Sequence, residues 1–427
     1  MNIESLYECF LACTTISTDT RKIAPGSMFV ALKGENFDAN NFAEEALAKG
    51  AGYVIIDNPR VKSDDRMLLV DNSLEALQKL ANYHRRQLGL PIIALTGSNG
   101  KTTTKELINA VLSTKYNIKA TSGNLNNHIG VPLTLLSFTN DTEIGIVEMG
   151  ANHQKEIEFL CTLAEPNFGY ITNFGKAHLE GFGGVEGVIK GKSELYQYLQ
   201  DQNKTAFVNL DDAMQKEKTN NFSRYTFAVN NYNCDVRIDA VKANPMVLVK
   251  YKDIDIQSHL IGIYNATNIN AAIAIGTFFK ITPEKIKAAI ENYIPANNRS
   301  QMIEKNGNQI ILDAYNANPS SMDAAIENFS QLDGSSKLAI LGDMFELGEE
   351  SLHEHKQLVQ KLARKSGIEA YLVGKDFYAN ATEHSHLSFF ETYDDFREYF
   401  STIKPVNKMV LIKGSRGMAL ERVLELI

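Results

Sequence analysis

Two glycines, a lysine and a run of hydroxyls sit together in Thr96-Gly97-Ser98-Asn99-Gly100-Lys101-Thr102-Thr103-Thr104. Such a set suits a polyphosphate. Glycine lets backbone N–H groups turn toward phosphate oxygens, a helix N-terminus adds partial positive charge, and an ammonium neutralises the β and γ oxygens. Lys101 supplies the ammonium, and Thr102 offers a hydroxyl to Mg2+. The apolar run Pro91-Ile92-Ile93-Ala94-Leu95 precedes the loop, and Leu107, Ile108, Val111 and Leu112 line one face of a helix after it. The spacing departs from G-x-x-x-x-G-K-[ST], since only Ser98 and Asn99 separate the glycines. A glycine turn with an exposed lysine would share the residues but not this succession of strand, loop and helix. Gly97, Ser98, Asn99, Gly100, Lys101, Thr102 and Thr103 are the expected ATP contacts.

Other groups gain meaning only beside that loop. Glu148 closes the apolar run Ile144-Gly145-Ile146-Val147, where a carboxylate can bind Mg2+ opposite the phosphates. On its own, a strand-end glutamate is a surface residue. His178 alone reads as a buried structural histidine, Lys190 and Lys192 as solvated helix residues, and Asn316 and Asn318 as turn formers.

These residues need a scaffold. At 427 residues the chain exceeds one ordinary core, so two or three domains are expected. Its 44% apolar and 22% charged content places it among globular chains. A net charge of −8 argues against a nucleic-acid partner or an anionic membrane surface, while leaving room for a local basic pocket. Cys9, Cys13, Cys161 and Cys234 form no CxxC pair and no metal-ligand cluster, as expected of reduced thiols. The N-terminus lacks a basic stretch followed by an apolar run, and nothing approaches the roughly 20 apolar residues of a membrane span. A cytoplasmic, monomeric protein without membrane insertion is expected.

Short apolar runs alternate with helical patterns along the chain. Strands are expected at 28–32, 53–56 and 67–70, with helices at 42–49 and 73–86. Further strands are expected at 91–95, 144–147, 170–172 and 206–208. After a turn-rich linker at 295–298, strands at 310–312, 338–341, 371–373 and 409–412 alternate with helices around 322–331, 351–365 and 393–403. The fold class is therefore α/β in three domains. A small N-terminal α/β domain spans 1–87, a central P-loop-type ATPase domain with a mostly parallel sheet spans 88–297, and a Rossmann-like domain spans 298–427.

The shortened loop T-G-S-N-G-K-T resembles that of the Mur ligases, and folylpolyglutamate synthetases carry similar loops. Asn124-Leu125-Asn126-Asn127-His128-Ile129-Gly130-Val131-Pro132 is similar to the family segment N-x-N-N-x-x-G-x-P and implies substrate contacts from Asn124 and Asn127. The resemblance implies that Thr102 and Glu148 hold the magnesium of ATP and that His178 binds a second ion. Lys192-Ser193-Glu194-Leu195-Tyr196 matches K-x-x-[LI]-[FY], whose lysine is carbamylated by CO2; Lys190 is the rival, and the Leu195-Tyr196 register favours Lys192. Gly262-Ile263-Tyr264-Asn265-Ala266-Thr267-Asn268 resembles G-x-H-N-x-x-N, implying an adenine contact for Asn268, with Tyr264 in place of the usual histidine. Arg299 falls where a junction arginine approaches the phosphates. Asp313-Ala314-Tyr315-Asn316-Ala317-Asn318-Pro319 resembles D-x-Y-N-A-N-P, implying ribose contacts from Asp313 and Asn316.

The first domain resembles the entry segment of the two late family members, with Thr18-Asp19-Thr20-Arg21 and Pro25-Gly26-Ser27-Met28-Phe29-Val30-Ala31-Leu32-Lys33-Gly34. This implies that Thr18, Asp19 and Arg21 serve a UDP-linked substrate. Asp38-Ala39-Asn40-Asn41 departs from the commoner D-G-H-x. Gly342-Asp343-Met344-Phe345-Glu346-Leu347-Gly348-Glu349 and Lys413-Gly414-Ser415-Arg416 resemble the family member that adds D-alanyl-D-alanine to UDP-N-acetylmuramoyl tripeptide through an acyl phosphate. No D-N-P-R loop of the tripeptide-forming member is present. The resemblance runs from about residue 18 to 421. It implies ATP and Mg2+ as cofactors and Lys101, His178, Lys192 and Arg299 as the catalytic group. The alternatives are another Mur or folate-type ligase with a different amine, a P-loop kinase, and a non-catalytic nucleotide-binding module.

Overall fold

In the computed structural model, residues 1–296, 298–334 and 336–427 are described; Asn297, within the expected linker and at the end of the expected central domain, lies outside them. Three sheets, wholly or mostly parallel, succeed one another along the chain, in keeping with the alternation of apolar runs and helical patterns. The first contains β1 (Ile16–Ser17), β2 (Met28–Val30), β3 (Tyr53–Ile56) and β4 (Met67–Leu69), in that spatial order. The apolar run at 28–32 leaves the strand after Val30, because Ala31 and Leu32 lead into a short hairpin of 33–34 and 37–38. Helix α1 (Ser73–Leu88) is capped by Asn72 and ended by Gly89 at φ 63°. It carries the chain out of this domain. Its buried face, including Leu77, Leu80 and Ala81, joins the core shared with the second sheet.

The central sheet has seven parallel strands: β5 (Ile92–Thr96), β6 (Ile118–Ala120), β7 (Ile144–Glu148), β8 (Phe168–Ile171), β9 (Thr205–Asn209), β10 (Arg224–Val229) and β11 (Val236–Ile238). The order β11-β10-β9-β8-β5-β7-β6 reverses at β5, so the loop after β5 opens into the crevice at a topological switch point. Helix α2 (Lys101–Leu112) follows that loop and buries Leu107, Ile108, Val111 and Leu112. A three-stranded antiparallel sheet of β12 (Ala240–Ala243), β13 (Met246–Tyr251) and β14 (Ile254–Ile261) closes the far side, an element the sequence reading did not anticipate. Helix α3 (Asn265–Phe278) is buried on nearly every side, against α2 and this sheet, and carries three buried asparagines, Asn265, Asn268 and Asn270.

In the third sheet, β15 (Gln301–Lys305) pairs antiparallel with β16 (Asn308–Asp313). The remaining strands, β17 (Lys337–Gly342), β18 (Ile368–Val373), β19 (Leu387–Phe390) and β20 (Met409–Lys413), are parallel, in the order β15-β16-β20-β17-β18-β19. Helices α4 (Pro319–Gln331) and α5 (Ser351–Ala363) face the central domain. The four cysteines are free thiols. Among the described residues, no helix is long and apolar enough to cross a membrane.

Candidate active site

The phosphate loop depends on two close backbone approaches. A Cβ on Gly97, at φ 140°, would stand 2.0 Å from Thr172 Oγ1, and one on Gly100, at φ 78°, would stand 2.6 Å from Asn268 Oδ1. Only glycine fits either position. Gly100 precedes α2 without a side-chain cap, which leaves the N–H groups of the helix start available to an anion. Lys101 lies over the loop, its Nζ donating to the Gly97 carbonyl at 2.6 Å. Desolvation there holds its ammonium below the usual lysine range, against the raising influence of Glu148.

The rest of the loop is stitched to its neighbours. Ser98 Oγ donates to the Gly175 carbonyl at 2.6 Å, and Asn99 N–H donates to Asn173 Oδ1 at 3.1 Å. Asn318 Nδ2, at the N-cap of α4, donates to Asn99 Oδ1 at 2.7 Å. The C-terminal domain therefore touches the phosphate loop itself. Lys176 Nζ adds a second tie, 2.6 Å from Glu354 Oε1 on α5.

Glu148 ends β7 beside β5, with Leu95 as its register partner. Its side chain is buried; Oε1 accepts from Asn126 Nδ2 at 2.9 Å, and Oε2 has no hydrogen-bond partner among the described residues. An orphaned, buried carboxylate oxygen on a residue that lines the same cavity as Thr102 and the phosphate loop fits a hard cation. His178, at φ 52°, places Nδ1 2.5 Å from Glu346 Oε2 of the C-terminal domain. The close approach of His178 holds the Glu346 carboxyl below its usual range. Lys192 is fully buried, donates to the Ala151 carbonyl at 3.1 Å and sits 4.9 Å from the Phe182 ring centroid. Burial, then the charge of Lys101, holds its amine well below the usual lysine range. Lys190 is exposed.

On the opposite wall, the Arg299 guanidinium stacks 3.6 Å from the Tyr315 ring centroid, and Arg416 Nη1 donates to Tyr315 Oη at 3.1 Å. Buried Lys413 pairs with Asp313 at 2.6 Å, and Asp313 also accepts from Ser300 N–H at 3.1 Å. Asn316 is exposed on the same wall. Asn268 lies beneath the phosphate loop, accepting from Thr104 Oγ1 at 3.0 Å and donating to Asn265 Oδ1 at 2.8 Å. Tyr264, where the family has histidine, reaches Ser300 Oγ at 3.2 Å.

A cavity of about 1240 Å3 joins these walls. Its lining includes Lys101, Thr102, Glu148, His178, Asn268, Arg299, Asp313 and Asn316, together with Asn124 and Asn127. Asn127 also braces the turn before Gly130, its Oδ1 accepting from Gly130 N–H at 2.9 Å. Lys192 lies behind the wall, and Thr18, Asp19 and Arg21 lie apart from the lining on a turn of the first domain. Arg21 grips Asp19 with Nη2 at 2.9 Å, which holds the Asp19 carboxyl down to about 2. The first domain reaches the cavity through Gln78 of α1. Sequence reading gave no role to Gln78, Asn126, Tyr315, Glu346, Lys413 or Arg416, although the quoted motifs contained the last five. A polar side chain within a matched motif was the available signal.

Comparison with known proteins agrees along the whole chain. The Mur ligase family, catalytic domain, matches residues 13–85; the Mur ligase middle domain matches 95–276; and the Mur ligase, glutamate ligase domain matches 298–416. A UDP-N-acetylmuramoyl-tripeptide–D-alanyl-D-alanine ligase of Bacillus subtilis is 34% identical, over 96% of this chain and 92% of that protein. A crystal structure of MurF from Acinetobacter baumannii superposes with a TM-score of 0.87 at 31% identity, over 99% of this chain and 98% of that one. A MurF ligase from Thermotoga maritima, solved in complex with ADP, superposes with a TM-score of 0.83 at 28% identity, over 98% and 97%. With three matched domains in order and that identity across nearly its full length, the chain belongs to the Mur ligase family.

Proposed function

We propose that this chain joins D-alanyl-D-alanine to UDP-N-acetylmuramoyl tripeptide at the expense of ATP. The products are the UDP-linked pentapeptide, ADP and phosphate, made for peptidoglycan precursor synthesis. The observation that carries this reading is the near-full-length likeness to relatives bearing that name, on a fold whose three domains all line one cavity.

Two displacements account for the chemistry. The tripeptide's terminal carboxylate attacks the γ-phosphorus, a C–O–P linkage forms as the β–γ bridge breaks, and ADP leaves. The neutral amine of the dipeptide then attacks the acyl carbon; a C–N bond forms, phosphate departs with the electrons of the C–O bond, and the nitrogen loses a proton. Carboxylate and phosphates are anionic, so the site must supply cations that are already in place. Lys101 and the helix start of α2 meet the phosphates, and Arg299, held flat on Tyr315, faces them from the other domain. The loop from Gly97 to Thr103 cradles ATP, with Asn268 toward the base and Asp313 and Asn316 toward the ribose. Asn124 and Asn127, with Thr18, Asp19 and Arg21 of the first domain, serve the UDP-linked substrate.

Magnesium, when bound, would neutralise phosphate charge at Thr102 and Glu148, and a second ion would rest on His178 and on Lys192 as its CO2-derived carbamate. The depressed amine of Lys192 supports that modification, because only the neutral amine adds to CO2. Contacts between Lys176 and Glu354 and between Asn99 and Asn318 bring the domains together over the loop, which excludes water from the acyl phosphate. We assign the domains to 1–87, 88–297 and 298–427, and infer that the protein works as a cytoplasmic monomer without nucleic-acid partners.

The test is phosphate release from ATP with UDP-N-acetylmuramoyl tripeptide, with and without D-alanyl-D-alanine. Release that needs both, with a UDP-linked pentapeptide as product, is expected. Release supported by single amino acids instead would overturn the choice of amine, and a stable phosphorylated product would indicate a kinase.

A further inference from the structure

Lys105 is the fifth residue of α2, four positions beyond Lys101, and its side chain is buried. A lysine is seldom buried without a fixed partner. Here Nζ donates to the Thr121 carbonyl at 2.7 Å and stands 3.9 Å from Glu148 Oε2. That separation is too long for a hydrogen bond but short enough for strong attraction in a buried setting. Thr121 Oγ1 in turn accepts from the Glu148 backbone N–H at 2.9 Å. Glu148 is thus bounded on three sides: Asn126 holds Oε1, Thr121 holds the backbone, and Lys105 faces Oε2 without consuming it.

We propose that Lys105 is a positioning residue that presents the free Oε2 of Glu148 to the magnesium of the bound nucleotide. The inference rests on the metal role given to Glu148 above. Magnesium demands near-ideal octahedral geometry, with ligand oxygens about 2.0–2.1 Å away. A carboxylate able to rotate, or to spend both oxygens on Asn126, would meet that demand poorly. The ammonium of Lys105 attracts Oε2 toward one orientation while its hydrogen bond goes to Thr121. Because Nζ spends its hydrogen bond on the Thr121 carbonyl, Oε2 would stay available to a cation held by the phosphate charges. Partners that orient a ligating group in this way commonly set metal affinity by ten- to a hundredfold.

The experiment reads Mn2+ binding to the full-length protein with ADP, from the paramagnetic resonance of free Mn2+, and needs no turnover. Lys105→Met should weaken Mn2+ binding by about tenfold or more, with metal-free ADP affinity near that of the wild type and a lowered melting temperature, because the Thr121 carbonyl and Glu148 lose a buried partner. Lys105→Gln keeps a donor for the Thr121 carbonyl without the charge and should show the same loss. Lys105→Arg should recover most of the affinity. Wild-type Mn2+ affinity in folded Lys105→Met or Lys105→Gln would overturn the inference. Glu148→Gln separates the two failures: if it also leaves Mn2+ affinity unchanged, the metal role of Glu148 falls; if it weakens binding while the Lys105 variants do not, only the role of Lys105 falls.

Discussion

Asn318 Nδ2 lies 2.7 Å from Asn99 Oδ1, so the C-terminal domain holds the side chain at the tip of the phosphate loop. The same Asn318 caps α4 through its own Oδ1, which accepts from Ser321 N–H at 2.9 Å. One amide thus serves helix stability with its oxygen and domain closure with its nitrogen.

Two substitutions separate those duties. Asn318→Asp keeps an acceptor for the cap but has no N–H for Asn99, so its melting temperature should stay near wild type while ligation slows by about tenfold, the upper worth of one neutral hydrogen bond. Asn318→Ala loses both and should also cost about 1 kcal/mol of stability. Thermal melts and phosphate-release rates on the two variants check this. Equal rates for Asn318→Asp and wild type would show that the contact is incidental.

Lys101→Ala removes the ammonium that lies over Gly97. Its loss should reduce ATP-dependent ligation by at least about a hundredfold, the scale of one preorganised group at a site of developing charge. The fold should persist, because Lys101 is half-buried and its hydrogen bonds go to loop carbonyls. Near-normal ligation would remove the phosphate loop from the mechanism.

Much of this site is legible in the sequence, because its parts follow local rules. The loop from Thr96 to Thr104 combines glycine, a buried strand and an amphipathic helix within a few residues, and the structure forms that succession. Strands β5, β7, β8 and β9 of the central sheet and β16, β17, β18 and β20 of the C-terminal sheet read as short apolar runs for the same reason, whereas β6, β10, β11, β15 and β19 do not. The sheet of β12 to β14 does not either, since its strands mix Lys, Asp, Gln and His with the apolar positions. Lys105 carries no signal of its own: a charged residue in a helix reads as solvent-facing, and its partners are Thr121, just after β6, and Glu148, at the end of β7. Asn99 and Asn318 are 219 residues apart, a separation no local pattern reports.

Tyr315 carries two cations by different means, its ring face for Arg299 and its hydroxyl for Arg416. Tyr315→Phe retains the face and should leave the KM for ATP within about twofold of wild type, since Arg416 keeps the ring beside it. Tyr315→Leu loses the stacking as well and should raise that KM by about two- to fivefold, in line with a cation–π contact of about 0.5–1 kcal/mol. Steady-state kinetics with ATP varied distinguishes the pair. Identical behaviour of Phe and Leu would exclude the ring face from holding Arg299.

His84 joins the first domain to the central one, and its titration should be visible in stability. Nε2–H donates to the Phe138 carbonyl at 2.9 Å, which leaves Nδ1 as the acceptor for Tyr7 Oη at 3.1 Å, the neutral ring. Burial lowers its folded pKa below the ordinary value, and the hydrogen bond to Phe138 only partly opposes this. The unfolded chain therefore binds a proton first as pH falls. The stabilisation is fully present above about pH 6.5 and is lost progressively below it, toward the depressed folded value. His84→Phe keeps a ring beside Tyr7 and Phe10 but cannot titrate, so wild type should lose urea resistance relative to the variant between pH 7.5 and 5.5. Carboxylate titrations common to both proteins cancel in that difference. A difference that stays constant across the range would mean that His84 takes up its proton equally well in the folded and unfolded chains.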